Sequence, residues 1–284
     1  MPRLWERHAA PLLFVLPSLA GFVMFFIWPF FYSIGYAFTD KPVGGVFVGL
    51  KNFMDLLANK SYLTGVQNTV FFIGVSLPLS MLFALAAALL INKAKSGRRV
   101  ITLLFLIPLV LPSGSTVFFW KSFFAQQGYL NRILLNFGAA PVNWLDSDAS
   151  RAVIVIIFIW KSLGYNIVLF MSALFGIPDD YYEAASLDGA GGLRKLAHIT
   201  LPCLAPAFLL VIIMSLINSF KVFKEIYVLT GSYPNNSIYM MQHFMNNMFA
   251  SLNYQKLTAA TCFLVLAIGA LTQGLFWAER KLSA

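Results

Sequence analysis

Apolar residues in this chain come in long, nearly unbroken runs, not at alternating or single-face spacing. Six runs reach the roughly 20 residues that one membrane crossing needs: about 11–38, 67–92, 100–124, 152–176, 203–230 and 258–279. Each predicts a helix, because backbone in hydrocarbon must satisfy its own N–H and C=O groups. The expected fold class is all-α, a polytopic membrane protein with six transmembrane helices. Pro17, Pro29, Pro78, Pro108, Pro112 and Pro206 fall inside or at the edges of the runs, so kinked helices in a bundle are expected. The polar stretches between runs are too short to fold into a separate catalytic domain. The chain divides into 1–66, an N-terminal stub, first helix and outer loop, and 67–280, the other five helices.

Composition supports this pattern. Hydrophobic residues make up 59% and charged residues 11% of 284, whereas soluble domains run near half and a quarter. The net charge of +9 does not point to nucleic acid. Its basic residues cluster in short loops beside the spans, as the positive-inside bias requires. With the N-terminus inside, the segments 1–10, 93–99, 177–202 and 280–284 are cytoplasmic and hold ten Lys or Arg residues. Lys93, Lys95, Arg98 and Arg99 form the tightest cluster. The expected location is therefore a bacterial cytoplasmic (inner) membrane, crossed several times, with both termini cytoplasmic. Arg3 and Arg7 before an apolar stretch imitate a signal peptide, but the run continues to Phe38. A signal core is only about 7–15 residues, so an uncleaved first helix is expected. Cys203 and Cys262 show no metal or disulfide spacing and are expected as buried free thiols.

One polar element stands apart. Pro178 ends the fourth run, Asp180 and Glu183 have capping-box spacing, and Gly189 sits where a helix C-terminus wants positive φ. Ala184 and Ala185 leave a bare face. Asp179, Asp180, Glu183 and Asp188 make it a poor lipid-surface helix, because anionic headgroups would repel them. A protein partner suits it better.

The segment 179–202 resembles the EAA loop of binding-protein-dependent ABC importer permeases. Glu183-Ala184-Ala185, Gly189, Ile199, Leu201 and Pro202 match that motif in identity and spacing. Seven such residues match by chance roughly once in 10⁸ starts. FVGLKNF (47–53), NTVFF (68–72), RRVITLLFLIPLVLP (98–112), GYLN (128–131), WKSLGYNI (160–167) and SFKVFKEIYVLTG (219–231) resemble the carbohydrate-uptake branch, which includes maltose, lactose and glycerol 3-phosphate permeases. Two outer positions depart from it: Gly231-Ser232-Tyr233-Pro234 replaces a Gly-Gly-Pro run, and Tyr254-Gln255 replaces a Tyr-Gly pair. The resemblance implies a type I ABC importer permease fold with a cytoplasmic coupling helix. It implies that Tyr182, Glu183, Ala184, Ala185, Leu187, Asp188 and Gly189 contact an ATPase dimer. It further implies a second homologous permease subunit, as a heterodimer, and an extracytoplasmic solute-binding protein. ATP and Mg would be bound by the ATPase, and no cofactor by this chain.

The residues themselves offer no catalytic chemistry. GAGGLRK (189–195) lacks the G-x-x-x-x-G-K-[ST] of a phosphate loop. His8, His198 and His243 are too scattered for a metal site or a catalytic pair. No enzyme is expected. Polar residues within spans are candidates for a substrate pathway: Trp160, Lys161, Asn166, Asn218, Ser219 and Lys221. Lys161 lies ~14 Å into the fourth span, at ~1.5 Å per residue, and reads as either a pathway residue or a structural partner. Lys221 and Lys224 suit snorkelling to the outer headgroups, with Glu225 beyond the pathway residues. No Asp or Glu falls in the central part of a span by this reading. That counts against an ion-coupled secondary transporter, the alternative from another class.

Overall fold

A computed structural model describes residues 4–94 and 96–283. Arg3 and Lys95, two of the basic residues used for orientation, lie outside the described residues. The described chain is almost wholly helical, and its one β contact is an isolated bridge between Thr39 and Phe47. Five helical stretches are long and apolar enough to cross a membrane: Leu13–Tyr36, Lys60–Lys93, Ser150–Phe175, Ala205–Thr230 and Tyr254–Ala278. A bent pair makes a sixth.

That pair corrects the expectation of one span over 100–124. α5 (Arg98–Val110) and the segment starting with α6 (Ser113–Phe124) are bent by 95°. The cause is local. Pro112 disfavours helical backbone at the residue before it, and Leu111 is extended with φ −65° and ψ 132°. The helix stops there and restarts at Ser113 in a new direction.

Two compact units emerge. The smaller joins residues 1–60 and 245–267. Its loop after α2 (Trp28–Tyr36) turns at Gly49, where φ is +60°, and enters α3 (Lys51–Leu57). Asn52 Nδ2 donates to the carbonyls of Ala37 and Thr39, each at 2.9 Å. Phe53 meets Phe263 edge-to-face at 5.5 Å. The stretch FVGLKNF is thus a turn followed by a pinned helix.

The larger unit comprises 61–244 and 268–284 and is organised around α8 (Ser150–Phe175). One face of α8 presents Ile154, Val155 and Phe158 to Phe72 and Leu77 of α4 (Lys60–Lys93) and to Leu216 and Ile226. Further along, Ile167, Phe170 and Leu174 pack with Ala84, Ala88, Leu204 and Val211. Val153 and Ile157 meet Val117, Trp120 and Phe124 of α6. Side chains of Asn68 and Thr69, within NTVFF, hold the loop 236–241. Asn68 Nδ2 donates to Asn236 and Tyr239 carbonyls at 2.6 and 3.0 Å, and Thr69 Oγ1 accepts the Met241 N–H at 3.0 Å. Asn131 of GYLN pins another loop through Val142 and Trp144.

The crossing of α5 and α8 rests on Gly164. A Cβ there would lie 2.0 Å from the Phe105 carbonyl oxygen, so backbone touches backbone. Gly164→Ala should destabilise the chain by about 1–3 kcal/mol through forced separation of the two helices. Gly74→Ala, with nothing within 4 Å of the added carbon, should not. Thermal unfolding midpoints in detergent compare the two.

Candidate functional site

The polar element begins at Pro178, whose extended backbone (φ −61°, ψ 136°) places it at the N-cap of α9 (Asp179–Leu187). Asp179 and Asp180 occupy the first turn, where the helix dipole favours negative charge. The expected capping box does not form. Proline takes the N-cap two positions too early, Asp180 lies within the helix, and the N-cap makes no side-chain hydrogen bond. The other end matches expectation. Gly189 has φ +76°. The Ala190 N–H donates to the Ala185 carbonyl at 2.8 Å and the Gly189 N–H to Ser186 at 3.1 Å. This is a Schellman closure, and it is the positive φ that demands glycine there.

α9 has two unlike faces. Glu183, Ala184, Asp188 and Gly189 are exposed, and Leu187 is 90% exposed. Tyr182 and Ala185 are half-buried, with Tyr182 packed on the cluster that contains Leu174, Ile177 and Leu204. Beyond the glycines, α10 (Gly192–Lys195) and a π-helical turn (Leu196–Thr200) lead through α11 (Leu201–Cys203) into α12 (Ala205–Lys221). Cys203 is exposed, not buried as expected, because it sits on the turn that enters α12, outside the packed core; Cys262 is half-buried.

The intramembrane candidates separate into two groups. Lys161, Asn218 and Lys221 line a cavity of about 150 Å³, together with Ser162, Tyr165 and Glu225. The other three do not line it. Asn166 is fully buried and donates to Ser80 Oγ and Ser215 Oγ at 3.0 and 3.1 Å, tying α4, α8 and α12 together. Ser219 turns its hydroxyl to the Leu216 carbonyl at 2.6 Å. Trp160 stands edge-on to Trp120, with ring centroids 5.4 Å apart.

Lys161 forms an ion pair with Glu225 Oε1, which also accepts Ser113 Oγ at 3.1 Å. Glu225 is 3% exposed, and its second oxygen has no partner among the described residues. α13 (Phe223–Thr230) continues the fifth span, so Glu225 falls inside it toward the Thr230 end, clear of its central part. A mid-span lysine requires a counter-ion. That demand was the available signal for Glu225, but the partner is 64 residues away in sequence.

His243 lies between the fifth and sixth spans. Burial pushes it down to about 4. Its Nδ1 accepts the Met240 N–H at 3.1 Å, so the imidazole is neutral and serves the fold.

Residues 76–278 match the family described as binding-protein-dependent transport system inner membrane component. The chain belongs to that family. Among this permease's curated relatives, the trehalose/maltose transport system permease protein MalF of Thermococcus litoralis is 35% identical, covering 79% of this chain and 78% of the relative. The arabinooligosaccharides transport system permease protein AraP of Bacillus subtilis is 32% identical over 82% of this chain and 75% of the relative. The sn-glycerol-3-phosphate transport system permease protein UgpA of Yersinia pestis is 29% identical over 95% of this chain and 94% of the relative. In fold, the permease is similar to a chain of a bacterial ABC transporter involved in the import of the acidic polysaccharide alginate. That comparison has TM-score 0.87 and 21% identity, covering 99% of this chain and 98% of the other. The type I importer architecture expected from the sequence is the one observed.

The ion pair supplies the site's sharpest expectation. Glu225→Ala strands the Lys161 ammonium and should cost ~3–5 kcal/mol, whereas Lys161→Met with Glu225→Leu should regain most of it. Recovery of monodisperse permease after a heat step in detergent reads both.

Proposed function

We propose that this permease, paired with a second homologous permease subunit, forms the membrane pathway of an ATP-driven importer that carries a saccharide inward. The observation that carries the reading is the exposed face of α9. It is a short helix, closed at its end by the Gly189 motif, that presents Glu183, Asp188 and the 90%-exposed Leu187 to solvent between the fourth and fifth spans. An apolar contact ringed by carboxylates suits a protein groove with basic edges. The occupant is an ATPase dimer, which would hold ATP and Mg and do the hydrolysis that this chain has no residues to perform. Both termini then face the cytoplasm, and an extracytoplasmic solute-binding protein delivers the solute to the outer loops.

For the solute, the names of the first two relatives and the cavity's chemistry agree. Tyr165 offers an aromatic face; Ser162 and Asn218 offer neutral hydrogen-bonding groups. Glu225 cancels the charge of Lys161. Such a lining suits hydroxyl groups better than a free anion. One observation favours a second reading, glycerol 3-phosphate or another anionic solute: Lys221 lines the same cavity with no ion pair among the described residues.

Affinity purification of the intact chain from native membranes in mild detergent should bring down an ATPase and a second six-span protein. Glu183→Lys should recover about tenfold less ATPase, as for loss of one strong interface contact, with membrane insertion unchanged. A chain that purifies alone under these conditions would overturn the importer reading. In uptake assays, Lys221→Ala should leave maltotriose transport intact. A selective loss of glycerol 3-phosphate uptake would instead establish the anionic reading.

A further inference from the structure

A closed circuit of hydrogen bonds runs from α9 to the segment beyond it. Half-buried Tyr182 and exposed Ser186 stand one turn apart, and Ser186 Oγ donates to the Tyr182 carbonyl at 2.7 Å. Lys195 Nζ donates to Ser186 Oγ. Thr200 Oγ1 donates to the Lys195 carbonyl, the longest link at 3.5 Å, and lies 2.9 Å from the Tyr182 hydroxyl. Either hydroxyl can donate in that last link. Two of these links cross from α9 to the segment that opens the fifth span.

The crossing links matter because the covalent route is soft. α9 reaches that segment through Gly189-Ala190-Gly191-Gly192, three glycines in four residues. Such a turn bends easily, because glycine backbone is the least restricted of all. Packing braces the strut at Tyr182, which rests on the cluster of Leu174, Ile177 and Leu204, but a cleft of about 460 Å³ opens beside it, with Tyr182, Lys195 and Thr200 in its wall. A push on α9 would therefore be absorbed in the glycine turn unless something bridged it. The ring bridges it. Thr200 is 5% exposed and closes the π-helical turn just before Pro202, so force delivered there passes directly into α11 and α12.

We infer that the Tyr182–Thr200–Lys195–Ser186 ring is the joint that makes α9 and the start of the fifth span move as one body. Tyr182 and Thr200 are then positioning residues of the transport cycle, not partner contacts. The inference rests on the proposed docking of an ATPase at the exposed face of α9.

The test uses the whole complex, purified from native membranes into nanodiscs, and follows amide hydrogen exchange with and without MgATP plus vanadate. In the unaltered chain, nucleotide trapping should change exchange over 179–190 and over 201–215 together. Tyr182→Phe and Thr200→Val should each keep the first change and shrink the second about fivefold, the factor one ordinary hydrogen bond carries. Combined, they should do no more than either alone, as coupled partners do. Thr200→Ser keeps the hydroxyl and should restore the response. Lys195→Met, at a half-exposed position that leaves the core untouched, should weaken it in the same sense. Three results would overturn the ring: an unaltered response in all these variants, a response over 201–215 missing from the unaltered chain, or loss of the ATPase from the Tyr182→Phe complex. Glu183→Lys, run alongside, reports on docking by itself. If it keeps the ATPase bound, the docking reading has failed, whereas a failed ring leaves that result as expected.

Discussion

A polar atom inside a bilayer has no water to turn to, so each one must find its partner within the protein. Much of the larger unit is arranged to meet that demand, and α8 is where the demand is met. At one level Asn166 gathers the hydroxyls of Ser80 and Ser215. At another, Lys161 gathers Glu225, which in turn takes Ser113. Each knot joins three helices, and the apolar faces of α8 fill the space between. Hydrophobic burial brings no helix together inside lipid, since the tails are as apolar as leucine. Polar knots and close packing do so instead.

These knots differ in what they leave unused. Asn166 is sealed, with no route to the cavity. Glu225 keeps one oxygen unpaired next to that cavity, and Lys161 is only partly covered. A satisfied polar group inside a membrane protein is structure, and an incompletely satisfied one is an opening for chemistry. The distinction separates residues that share a helix and lie five positions apart.

The spans were legible in the sequence because length and hydrophobicity are one-dimensional quantities. The strut at 179–202 was legible because its motif is local, and so was Gly189, whose conformation is set by its neighbours. Partnerships across the fold were not. Lys161 signals a need for a counter-ion, but nothing along the chain says that Glu225 is the one. Trp160, Asn166 and Ser219 look much like Lys161 in the sequence, and only the rotation of each helix decides which of them line the cavity. Asp180 and Glu183 have the spacing of a capping box, yet a proline two residues earlier claims the position. Pro112 carried the signal for a break, but prolines such as Pro78 sit inside a continuous helix in the same chain. Whether such a residue kinks or divides a helix depends on what the neighbouring helices supply.

The elbow at Leu111 and Pro112 bears on how the protein is made. α5 has 13 residues and α6 has 12, or roughly 20 and 18 Å at 1.5 Å per residue. Hydrocarbon is ~30 Å thick. Neither piece alone is long enough to be handed from the translocation machinery to lipid as a finished crossing. The third passage through the membrane must be completed by a neighbour, chiefly α8, which emerges later in synthesis. Biogenesis of this permease therefore includes a step that waits on chain still to come.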